Sequence, residues 1–160
     1  MSRRALEEVL RDRGLAQLGD AYVNFICSLA ASISEGRPRG LKVSDAVLAE
    51  AAKRCGARAL LPKRSKREDI ANAAEALLVY AWILGIERME DAVELLCKAG
   101  GPSPDALSGL LRRALAGLQG PPRDTSREDG AEDTRDRRRP PSGPQGDRAG
   151  RSCLPRRPLA

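Results

Sequence analysis

Histidine is absent from the 160 residues. That excludes histidine triads, imidazole metal ligands and pH switching by an imidazole, so any hydrolytic chemistry falls to carboxylates. Aromatics are scarce: one Phe, one Trp and two Tyr, too few for a platform that stacks unpaired bases. Cys27, Cys55, Cys97 and Cys153 stand too far apart for a zinc motif. With no secretory signal at the N-terminus, these thiols are expected to be reduced, in a cytoplasmic protein. The longest apolar stretch, Ala71 to Ile86, is broken by Asn72 and Glu75 and is short for a bilayer span, so no membrane role is expected. Strand-like alternation, internal repeats, a glycine-rich phosphate loop and an activated nucleophile are all missing.

What is present divides sharply near Gly120. Before it lie nearly all the Leu, Ile and Val; after it come Pro, Arg, Gly, Asp and Ser. Ordering a backbone residue costs roughly 1–2 kcal/mol, which the later segment lacks the apolar surface to offset. One folded domain over 1–119 and a disordered Pro/Arg/Gly/Asp-rich tail over 120–160 are therefore expected. Residues 1–119 carry 18 Lys and Arg against 15 Asp and Glu, and the remainder 10 against 7. This mild excess favours a polyanion without naming one. In the tail, the cluster Arg135, Arg137, Arg138 and Arg139 is interleaved with acids, and reads either as a weak salt-sensitive grip or as a solubilising extension.

Apolar spacing predicts helices throughout. Ala5, Leu6, Val9 and Leu10 mark a first helix over 3–13, which Gly14 should break. A second is expected to open at Asp20 and run to about Ser34. It is apolar nearly all round except for Asp20, Asn24, Ser28 and Ser32, a narrow stripe with a four-residue period. Such a helix is buried on most sides, and in so small a domain a subunit interface is expected to help cover the 21–34 segment. Ser44 should cap a third helix reaching Arg54, with a short helical piece from Ala57 stopped by Pro62. The basic run Lys63-Arg64-Ser65-Lys66-Arg67 leads into a long helix over 68–84, ended by Gly85. Two more are expected over 89–99 and from Ser103 or Pro104 to Leu118. The fold class is all-α.

Two carboxylates stand in apolar surroundings. Asp20 follows Gly19 at the expected start of the second helix, and Glu75 lies within the long apolar helix, sharing a face with Asn72 at i, i+3. Meeting in space, they could hold a hard cation such as Mg²⁺. Equally, Asp20 could serve the helix dipole, for about 0.3–1 kcal/mol, and Glu75 could pair with a nearby Lys or Arg.

The segment Leu18-Gly19-Asp20-Ala21-Tyr22-Val23-Asn24-Phe25 resembles the signature helix of the ribonuclease III family, where Leu-Gly-Asp-Ala or Ser precedes an apolar pair and Asn. Asn72-Ala73-Ala74-Glu75-Ala76-Leu77-Leu78 is similar to the family's downstream Asp-x-x-Glu-Ala-Leu, again preceded by a basic stretch. The likeness covers roughly residues 10–100. It departs where the family carries further acids: Arg13, Ala16 and Asn72 occupy those positions. The reduced set is similar to that of the minimal ribonuclease III branch, which lacks a double-stranded RNA-binding domain, and to compact archaeal versions.

The resemblance implies the ribonuclease III endonuclease-domain helical fold and an endoribonuclease that cleaves double-stranded RNA, leaving 5′ phosphate and 3′ hydroxyl ends, with RNA processing as its expected setting. It implies a homodimer with the 21–34 helix in the interface. Asp20 and Glu75 would bind Mg²⁺ (Mn²⁺ as a substitute), with Asn72 orienting its waters. Lys63, Arg64, Lys66 and Arg67 are the candidates for contacts to the RNA backbone; a solvated basic loop is the plainer account of the same residues. The other reading is a catalytically impaired ribonuclease III-like RNA-binding or scaffolding protein, favoured by Ala16 and Asn72. A helical interaction protein without affinity for RNA is the third.

Overall fold

The structure, a computed structural model, describes residues 1–120. The expected tail, apart from Gly120, lies outside the described residues. Helices follow one another as α1 (Arg3–Val9), α2 (Arg13–Glu35), α3 (Asp45–Arg54), α4 (Arg67–Ile83), α5 (Met89–Lys98) and α6 (Pro104–Gln119), with a 3₁₀ turn at Ala57–Leu60. No strand occurs among the described residues, which are all-α as expected.

The largest departure from expectation is at the first two helices. The chain breaks at Leu10–Asp12, not at Gly14, and α2 runs unbroken through both Gly14 and Gly19. Asp12 starts it by accepting the Leu15 N–H at 2.9 Å, a side-chain cap that satisfies a backbone donor left over at a helix start. Asp20 therefore sits well inside α2 and does not cap a helix end. Gly36, at φ 68°, closes α2 in the left-handed conformation that glycine tolerates. The later boundaries fall within a residue or two of expectation. Ser103 caps α6 through the Ala106 N–H, whereas Ser44 precedes α3 without a side-chain cap bond.

α4 is the hub, packed against α2, α3 and α6. It is buried from Ile70 to Ala81 except at Asn72 and Tyr80. Alanines at 71, 73, 74, 76 and 81 let neighbouring helices approach closely around it. Leu48, Leu77, Leu107, Leu110 and Leu111 fill the spaces between helices and are fully buried, each contributing about 1.5–3 kcal/mol.

Gly19 marks the closest crossing. A methyl group there would stand 2.8 Å from the Cβ of Glu75 and nearer still to its carbonyl, so α2 and α4 touch backbone to backbone at the two motifs. Within the single chain α2 hides only Ala16, Gly19, Tyr22, Val23, Ile26, Cys27 and Ala30. It leaves Leu18 48% and Phe25 54% exposed.

Candidate functional site

The four-residue polar stripe of α2 proves to be a docking track. After Pro38 the chain returns antiparallel along α2. Ser32 Oγ accepts the Arg39 N–H at 2.8 Å, Ser28 Oγ accepts the Leu41 N–H at 2.8 Å, and Asn24 Oδ1 accepts the Val43 N–H at 2.8 Å. Four helical residues rise about 6 Å and two extended residues about 6.6 Å, so every fourth residue of the helix meets every second residue of the segment. Continuing that register by one step matches Asp20 with Asp45. Asn24 also donates from Nδ2 to Asp20 Oδ1 at 2.9 Å, joining the Asp20 carboxylate to the segment that delivers Lys42 and Asp45.

A cleft of about 1240 Å³ opens where these elements meet α4. Asp20, Asn72 and Glu75 all line it, as do Asp45 and Lys42. Because α2 begins at Arg13, Arg13, Ala16 and Asp20 share one helix face, and all three line the same cleft. Two of the four basic candidates, Arg64 and Lys66, line it as well. Arg67 faces an adjoining hollow beside Lys42 and Asp45, and Lys63 lines neither. The loop that carries these residues is shaped by Arg58, whose guanidinium donates to the carbonyls of Leu61, Pro62 and Lys63 at 3.3, 3.0 and 2.7 Å. Asp69 then accepts the Lys66 N–H at 2.8 Å and starts α4.

Glu75 is the unusual group. It is 5% exposed, and its side chain makes no hydrogen bond or ion pair with any described residue. Burial pushes its carboxyl up to about 7; the negative charges of Asp20 and Asp45 push the same way, and Lys42 opposes them. A buried carboxylate facing two others without a partner is unfavourable unless a cation neutralises it. Among the described residues no group of three His, Cys, Asp or Glu side chains is arranged to hold a metal ion unaided. The donors nevertheless suit Mg²⁺, which takes one or two carboxylates and keeps several waters: Asp20 and Glu75 offer carboxylate oxygens and Asn72 a carbonyl.

Sequence reasoning missed Asp45, Lys42, Asn24 and Arg58. The period of the polar stripe and the Asn of the signature motif were the signals pointing to Asn24, and nothing local marked the others. No helix among the described residues is long and apolar enough to cross a membrane.

No curated protein matches the chain. A protein-family model described as Ribonuclease III matches residues 13–108, from the first residue of α2 into α6, and so includes the whole cleft except its α1-side edge. Enzymes of this kind are hydrolytic ribonucleases that act on RNA, typically as dimers and generally with a divalent metal. By this match, and by a carboxylate-floored cleft built from both motifs, the chain belongs to the ribonuclease III family of endoribonucleases.

Proposed function

We propose that the protein is a Mg²⁺-dependent endoribonuclease (Mn²⁺ serving as a substitute) that cuts double-stranded RNA as a homodimer. The observation that carries this reading is the unpartnered, buried Glu75 carboxylate facing Asp20 and Asp45 on the floor of a basic-rimmed cleft. The cleft to which the activity is assigned lies within residues 1–119, the expected folded domain. The cytoplasm suits it, since thiols such as the buried Cys27 stay reduced there.

In this reading Asp20 and Glu75 hold the cation and Asn72 contributes a neutral oxygen. When bound, such an ion supplies Lewis acidity at a phosphodiester and makes water a better nucleophile. Asn24 fixes the orientation of Asp20 through its 2.9 Å bond. Asp45 adds charge opposite Glu75, and Ala16 narrows the donor set by contributing none. Lys63, Arg64, Lys66 and Arg67 hold the RNA backbone. Among the described residues no aromatic side chain lines the cleft, which disfavours splayed single strands and favours a duplex read through phosphates and 2′-hydroxyls.

Purified protein is expected to cut a labelled RNA duplex in Mg²⁺ but not in EDTA, with Asp20→Asn slower by at least about a hundredfold, roughly the 2.7 kcal/mol or more attached to a transition-state electrostatic contact. Binding without cutting would instead establish the impaired, RNA-binding reading, which the uncharged Ala16 and Asn72 favour. Cutting that persists in EDTA would overturn the metal assignment.

For the dimer, the exposed stripe of α2 (Leu18, Ala21 and Phe25) continues onto the end of α4, where Trp82, Ile83 and Leu84 are exposed and Trp82 stacks on Tyr22 with ring centroids 5.3 Å apart. This apolar band is the proposed self-association face, with aromatics of the kind that anchor interfaces. Light scattering should show a dimer, and Phe25→Asp should yield a monomer that remains helical, the lost anchor costing about 2 kcal/mol or more of association energy. A dimer undiminished by that change would place the interface elsewhere.

A further inference from the structure

The basic side chains of the described residues divide into two populations. Those away from the cleft are engaged: Arg3 and Arg4 pair with Glu7 and Glu8, Arg54 with Glu50 and Asp105, and Arg113 with the buried Glu87. Every other Lys and Arg outside the cleft region likewise makes an ion pair or donates to a carbonyl. The side chains of Arg11, Arg13, Lys42 and the four basic residues of 63–67 do neither. All seven are exposed and gather around one cleft and its adjoining hollow, save Lys63, which is next in sequence to Arg64.

Carboxylates are not lacking there. Asp12, Glu68 and Asp69 line the same cleft, yet none pairs with these cations within 4.0 Å. Three stretches distant in sequence thus bring cations without a salt-bridge partner to one cleft and its adjoining hollow, where they stand available to a polyanion. Arg13 is the most telling member, because it stands one turn before Ala16 at a position where the family pattern has an acid.

We propose that Arg11, Arg13 and Lys42 complete, with the basic residues of 63–67, a phosphate clamp around the carboxylate floor, so that a duplex RNA is gripped by all three stretches. This rests on the reading of the cleft as an RNA-cleaving site. Positive charge that a fuller set of acids would bring in as bound cations is here supplied in part by the chain itself. The Arg13 guanidinium, with its planar fork, suits a phosphate held in fixed orientation, and Lys42 contributes a point charge beside the floor.

The test is binding of a short fluorescent RNA duplex to the full chain in EDTA, where cleavage does not interfere, over a series of KCl concentrations. Arg13→Gln and Lys42→Gln should each lower the slope of log Kd against log [KCl] by about 0.9, the value for one phosphate contact. Arg4→Gln, on the outer face of α1, should leave the slope unchanged. Circular dichroism checks that each variant is folded, which is expected because all three side chains are exposed. If the Arg13 and Lys42 variants keep the parent slope while Arg64→Gln lowers it, the grip rests on residues 63–67 alone and the clamp is wrong, though the RNA reading stands. If the parent protein does not bind the duplex even at low salt, clamp and RNA reading fall together.

Discussion

Gly19→Ala should destabilise the protein by about 3 kcal/mol, at the upper end of what overpacking costs. In an isolated helix the same change is favourable by about 1 kcal/mol, because alanine is the better helix former. Here the added methyl group would overlap the backbone of Glu75, and neither partner is a flexible side chain able to move aside. α2 and α4 would have to separate at their crossing, loosening the core between them and displacing Asp20 from Glu75. Gly117 offers a useful contrast: a methyl group there meets only the side chain of Ile86, whose rotamer can change, so Gly117→Ala should cost less. Urea unfolding of the two variants checks this. A loss below about 1 kcal/mol for Gly19→Ala would show that the helices do not cross in contact at the two motifs.

Glu75→Gln should give an inactive protein that is more stable than its parent in alkaline buffer. The Glu75 carboxyl is raised from an ordinary 4.5 to about 7 in the folded chain. Between those values the folded state holds a proton that the unfolded chain has released. Stability therefore falls as pH rises across that interval, by up to about 1.4 kcal/mol per pH unit. Glutamine has no charge to bury, so at pH 8 the variant should gain on the order of 3 kcal/mol over the parent, while at pH 4 the two should match. Mg²⁺ at pH 8 should raise the unfolding temperature of the parent and leave the variant unmoved, since a ligand stabilises only the state that binds it. For the same reason cleavage by the parent should increase as pH rises through about 7, with the limb moving to lower pH as Mg²⁺ is raised. A variant less stable than the parent at pH 8 would mean that the ionised carboxylate is well solvated and needs no cation.

These two residues illustrate how sequence and structure divide the account. Glu75 was visible as a candidate because a lone acid inside an apolar helical stretch conflicts with its surroundings, and such conflicts concentrate at functional sites. Gly19 was visible only as a motif letter. Read locally, Gly14 looked like a helix breaker, since glycine disfavours helices. In the folded chain the crossing with α4 outweighs that preference, and α2 is one continuous helix of 23 residues. That continuity puts Arg13, Ala16 and Asp20 on one face, an alignment that a break at Gly14 would have forbidden.

What the sequence determined by itself was whatever depends on neighbours close along the chain: the helical class from 3.6-residue apolar spacing, most helix ends from glycine, proline and capping residues, and the standing of Asp20, Asn72 and Glu75 as an unusual set. The tertiary structure alone decided which distant groups join them. Asp45 and Lys42 reach the cleft because the stripe Asn24, Ser28 and Ser32 pairs in step with Val43, Leu41 and Arg39. Arg11 and Arg13 come to line the same cleft as Arg64 and Lys66, beside the place where α2 and α4 cross at a glycine. The physical reason is the range of the forces involved. Helix propensity and capping act within a turn or two, whereas matched hydrogen-bond spacing, backbone overlap and the ionisation of a buried carboxylate exist only once separate segments have been brought together.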